Sequence, residues 1–106
     1  MTTTTFKTLT EEENSRIDEI VEDVRATASY MSTRIESMSL SDLVAYAIVG
    51  LDLCKEALDI MEYNLYELDL TEDEAYNLAI IENYCDMFND VIEKANLTKR
   101  ALNFYL

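Results

Sequence analysis

The sequence predicts an all-α protein, an elongated antiparallel three-helix bundle. The 106-residue chain has no proline and one glycine, Gly50, whereas a β-rich fold needs many tight turns built from those residues. Hydrophobic residues make up 49% of it, enough for one core in one domain. Apolar residues also recur at alternating steps of three and four along three long stretches, the period of a helix face.

Residues 1–9 are Thr-rich and show no apolar period, so they are expected to be a flexible tail ahead of a single domain at 10–106. Phe6 and Leu9 are available as a staple over the first helix. Thr10-Glu11-Glu12-Glu13 has the form of a capping box, with three acids suited to a helix N-terminus. Ile17, Val21, Val24, Ala28, Met31, Ile35 and Met38 then form one heptad seam, placing helix 1 at about 11–37.

Ser39-Leu40-Ser41-Asp42 interrupts the pattern, with Ser39 or Ser41 as the N-cap of helix 2 at about 42–68. Its seam runs Leu43, Ala47, Gly50, Cys54, Ala57 or Leu58, Met61, Leu65 and Leu68. Gly50 inside a helix costs about 1 kcal/mol relative to Ala, which predicts a backbone passing close by. A second apolar line, Val44, Ile48 and Leu51, leaves the N-terminal half apolar nearly all round. That surplus predicts a homodimer through Val44, Ile48 and Leu51, unless helix 3 and the C-terminal tail cover the line.

Thr71-Glu72-Asp73-Glu74 repeats the capping box, opening helix 3 at 72–96 or beyond. Its stripe contains Ala75, Leu78, Ile81 or Glu82, Cys85, Phe88, Ile92 and Ala95. The short connections between helices imply antiparallel neighbours.

Charge and composition exclude several functions. With 22 acidic and 8 basic residues the net charge is −14. Such a chain repels nucleic acid and anionic lipid, and its natural partner is a basic protein. No apolar run approaches a membrane span, and the polar opening Met1 to Phe6 is unlike a secretory signal. A cytoplasmic location is expected, in a host cell if the protein is phage-encoded, with Cys54 and Cys85 reduced and packed. The sequon at Asn96-Leu97-Thr98 is then incidental.

No enzymatic chemistry, cofactor or metal is expected. There is no histidine, which removes the commonest general base and the commonest metal ligand. Two cysteines do not make a zinc site. The stretch from Asp69 through Asp73 fails as a calcium loop, because Glu74 stands where Gly is required and Ile80 where the bidentate acid is required. A carboxylate pair can act alone in glycoside hydrolysis, but it needs a shaped cleft.

The acid itself is unevenly placed. Residues 41–70 carry seven acids and one base, and residues 71–90 carry six acids and no base. Asp52, Glu56, Asp59 and Glu62 form a stripe on helix 2; Glu82, Asp86, Asp90 and Glu93 form one on helix 3. Like charges at these spacings destabilise a helix by a few tenths of a kcal/mol each, and a surface selected only for stability alternates signs more often. Neighbouring carboxylates on such a stripe lie ~6 Å apart, comparable to phosphates along a strand. The stripes are therefore the candidate partner-binding face, with Tyr63, Tyr66, Tyr76 and Tyr84 as aromatic anchors. The bland reading is a solvated bundle exterior with tyrosines at its rim, since acid aids solubility and Glu favours helices.

In size, charge and helicity the chain is similar to small acidic phage anti-restriction and anti-CRISPR proteins; no motif is shared. That likeness implies a non-enzymatic inhibitor that mimics DNA or RNA and blocks a nuclease or CRISPR or restriction effector. The alternative is a dimeric helical adaptor, antitoxin-like or scaffold protein, acting through apolar helix packing.

Overall fold

A computed structural model describes the backbone of residues 6–62 and 67–105 and the side chains of 8–62 and 68–95. The helices are α1 (Glu11–Arg34), α2 (Leu40–Met61) and α3 (Glu72–Tyr105), packed against one another in a body with extents of 62 × 31 × 17 Å. Two two-residue strands, β1 (Phe6–Lys7) and β2 (Glu67–Leu68), pair in parallel, so the segment before α1 meets the α2–α3 connection.

Both capping boxes form. Thr10 Oγ1 accepts from the Glu13 N–H at 3.1 Å while Glu13 Oε1 accepts from the Thr10 N–H at 3.0 Å. Thr71 Oγ1 accepts from the Glu74 N–H at 3.3 Å, and Glu74 Oε1 accepts from the Thr71 N–H at 2.8 Å. These bonds satisfy donors that a helix start leaves open. Ser39, the first of the two residues expected as cap, begins α2 by accepting from the Asp42 N–H at 3.1 Å.

The helix ends differ from those read off the seams. α1 stops at Arg34, where the Ser37 and Met38 N–H groups both turn back to the Arg34 carbonyl. Ile35 continues the seam yet is 59% exposed, because no neighbouring helix reaches it. α2 ends at Met61, not Leu68. Glu62 adopts the left-handed conformation (φ 53°, ψ 46°) and its N–H turns back to the Leu58 and Asp59 carbonyls, closing the helix without a glycine. The apolar period continues past this stop because Leu68, on β2, still packs against the core. α3 is the longest helix and runs to Tyr105.

Ile17, Ile20, Val24, Ala47, Cys54, Ala57, Met61, Ile81 and Phe88 are fully buried. Gly50 is buried against the Phe88 ring, the close approach that its presence in a helix predicts, although the neighbour is a side chain. α2 is the central element, most extensively packed against α3, while α1 and α3 touch least. Two side-chain hydrogen bonds also join α1 and α3. Asn14 Nδ2 donates to Glu74 Oε2 at 2.6 Å and Asn77 Nδ2 to Asp18 Oδ1 at 2.9 Å.

Candidate functional site

The acidic stripes are best placed from the inside outward. Cys54 and Phe88 are buried on the inner faces of α2 and α3. At about 100° per residue, Asp52, Glu56 and Asp59 fall roughly opposite Cys54, and Glu82, Asp86, Asp90 and Glu93 roughly opposite Phe88. All seven are exposed. Glu62 is not part of this array: it is the half-buried C-cap of α2, outside the helical register.

The exposed carboxylates divide into two groups. Glu56 turns toward α1, where Arg16 Nε donates to its Oε2 at 2.5 Å and Arg16 Nη2 to its Oε1 at 3.1 Å. Arg16 also pairs with Glu19 at 3.1 Å. The hydrogen bond from Arg16 is the main cause holding the Glu56 carboxyl below its ordinary range. Asp90 is bridged by Lys94 at 2.9 Å, one turn along α3. The base comes from beyond residue 90, so the lack of Lys and Arg within 71–90 does not leave Asp90 unpaired.

The second group lies on the outer faces of the two helices. Asp59 and Asp52 project about 180° and 160° away from Gly50, the residue of α2 that meets Phe88 of α3. Burial, and then the Asp86 charge, raise the Cys85 thiol's pKa, and Lys55 offsets them. On α3, Glu82 and Glu93 stand four before and seven after Asp86, on its face. Among the described residues, Asp52, Asp59, Glu82, Asp86 and Glu93 form no ion pair. Two short carboxylate rows thus lie on the outer faces of adjacent helices.

The anchor tyrosines fare unequally. Tyr76 is 62% exposed and its hydroxyl accepts from Arg25 Nη2 at 3.5 Å. Tyr84 is half-buried against the core, its ring stacked 6.2 Å from Phe88, so it belongs to the packing and not to the surface. Tyr63 and Tyr66 lie outside the described residues. The expected dimer line is also divided: Leu51 is buried in the chain's own core and Val44 is half-buried, leaving Ile48 45% exposed.

No family model, curated protein or solved structure matches this chain.

The sequence reading missed a cluster at the α1–α2 turn. Arg34 lies over the Tyr30 ring, 4.0 Å from its centroid, and Tyr30 meets Tyr46 at 4.9 Å. With Ser37, Met38 and Asp42 they line an open cleft of about 310 Å³. Contact with the Tyr30 hydroxyl is the first cause raising the Tyr46 phenol's pKa. Arg34 in the last turn of α1 and Asp42 in the first turn of α2 are the charges each helix dipole favours. The arrangement therefore works as a clasp on the hairpin. The available signal was spacing, with Tyr30 and Arg34 one turn apart and Tyr46 across a short loop.

Burial, with a smaller effect of Cys85, pushes the Cys54 thiol up to about 12, so it stays protonated near neutral pH and is a poor nucleophile. Among the described residues, no group of three or more Cys, Asp or Glu could hold a metal ion, and no helix is long and apolar enough to cross a membrane.

Proposed function

We propose that this protein is a non-enzymatic inhibitor that binds a basic protein through the acidic outer faces of α2 and α3, standing in for nucleic acid in a groove built for DNA or RNA. The observation that carries the reading is the pair of rows Asp52–Asp59 and Glu82–Asp86–Glu93, exposed on adjacent helices and without ion pairs among the described residues. Like charges held this way raise the energy of the free protein and are relieved by a cationic surface. Glu82 and Asp86 stand ~6 Å apart along α3, and Asp52–Asp59 and Asp86–Glu93 each about 10.5 Å apart, spacings that phosphate-binding Lys and Arg side chains can follow. A nuclease or a CRISPR or restriction effector is a partner of that chemistry, which makes a phage anti-defence role the specific form of the proposal.

The test is capture of basic nucleic-acid-binding proteins from a host lysate by the immobilised protein at low and at high salt. Association through this face weakens steeply with salt. Reversing Glu82, Asp86 and Asp90 together to Lys should abolish capture while leaving the helical circular dichroism intact. Undiminished capture by the triple variant would sink the proposal.

The adaptor reading, including a homodimer, keeps one supporting observation, the exposure of Ile48 beside Val49 on α2. It no longer has Leu51.

A further inference from the structure

The outer face of α2 changes character along its length. From Leu43 to Leu51 the helix carries no charged residue. Within that stretch Ala45, Tyr46, Ile48 and Val49 are exposed, Val49 to 54%. At about 100° per residue, Ala45, Ile48 and Val49 project within roughly 60° of the direction in which Asp52, Glu56 and Asp59 project. The apolar patch and the acid row therefore form one continuous stripe, about 21 Å long from Ala45 to Asp59 at 1.5 Å per residue. Contiguous exposed aliphatics mark an interaction site more often than isolated ones do, and a nucleic-acid mimic acting by charge alone has no use for them.

We propose that this stripe docks a cationic amphipathic helix of the partner protein, about four turns long, with its apolar ridge on Ala45, Ile48 and Val49 and its Lys and Arg residues over Asp52 and Asp59. Charge complementarity selects the occupant. A second copy of this chain would bring the same Asp52, Glu56 and Asp59 row toward its own, with −14 on each molecule, whereas a basic amphipathic helix matches both halves of the stripe. Residues at i, i+3 and i+4 share one helix face and form a ridge against which a second helix packs, the spacing of Ala45, Ile48 and Val49. The inference rests on the acidic-face reading and adds an apolar contribution that salt does not screen.

The test uses the full chain and two synthetic peptides of equal length and charge, one an amphipathic Leu/Lys helix and the other a Lys/Ser peptide without an apolar face. The wild type should bind the amphipathic peptide about tenfold more tightly, with the excess persisting at high salt. Ile48→Ser with Val49→Ser should remove the excess and leave Lys/Ser binding unchanged, and because both residues are half-exposed the fold should tolerate the change. Equal affinity of the wild type for the two peptides overturns this inference alone. Failure to bind either peptide overturns the acidic-face reading as well. Sedimentation showing that the wild type self-associates through Ile48 and Val49, and that the double variant is monomeric, assigns the stripe to a second copy and overturns the proposal.

Discussion

Gly50 on α2 and Phe88 on α3 touch where a side chain would otherwise stand. A Cβ placed on Gly50 would lie 2.7 Å from Phe88 Cε1 and closer still to Cζ and Cε2. Phe88 is fully buried and its ring also stacks with Tyr84, so it has little room to retreat. The contact brings the central helix close to α3.

Gly50→Ala is therefore expected to destabilise the protein even though Ala is the better helix former. Overpacking costs about 1–3 kcal/mol against about 1 kcal/mol of helix propensity gained, for a net loss of up to about 2 kcal/mol in urea unfolding. In a Phe88→Leu background the same change should cost less, and the double-mutant cycle measures the coupling. Additive losses would mean that the ring is not the obstacle.

Glu74 combines a helix cap with an inter-helix contact. It is 8% exposed, accepts from the Thr71 N–H, and accepts from Asn14 Nδ2 of α1. Glu74→Ala should cost about 1–2 kcal/mol through loss of the cap and an abandoned donor on Asn14. Its carboxyl is held below the ordinary range, first by the backbone hydrogen bond of Thr71 and also by Asn14. A depressed folded-state pKa gives stability that is present above the unfolded value near 4.3 and lost as pH falls through the folded value. The wild type should therefore lose more stability on acidification below about pH 4.5 than Glu74→Gln does, as followed by urea unfolding across that range. Parallel pH profiles would count against this account.

The two thiols should be distinguishable by alkylation. Cys54 is fully buried while Cys85 is half-buried, and burial is the first cause raising both. At mildly alkaline pH, mass spectrometry should find iodoacetamide on Cys85 well before Cys54, and Cys54 modified only at the rate of opening of the α2–α3 interface. For a raised thiol pKa the sign is opposite to that of Glu74: the contribution is complete below the unfolded value near 8.5 and lost as pH rises toward the folded value, here about 12. Cys54→Ala should thus flatten the alkaline limb of the stability profile. Equal labelling of the two cysteines would contradict this packing.

The sequence by itself determined that there are three helices, where two of them begin, and which face of each turns inward. Those properties are local: Thr10–Glu13 and Thr71–Glu74 make their bonds within one turn, and the apolar period of α2 and α3 records which residues avoid water. Composition likewise determined the −14 charge and the absence of histidine. The tertiary structure decided what depends on neighbours. It ended α2 at Glu62 although the apolar period ran on to Leu68, because Leu68 reaches the core from a strand. It buried Leu51 and left Ile35 exposed although both occupy apolar lines, because burial needs a second helix within reach. It also divided the acid, pairing Glu56 with Arg16 forty residues away and leaving Asp52 and Asp59 without an ion pair among the described residues. Helical spacing gives a carboxylate its direction from the helix axis, but only the packed neighbours decide whether a cation waits there.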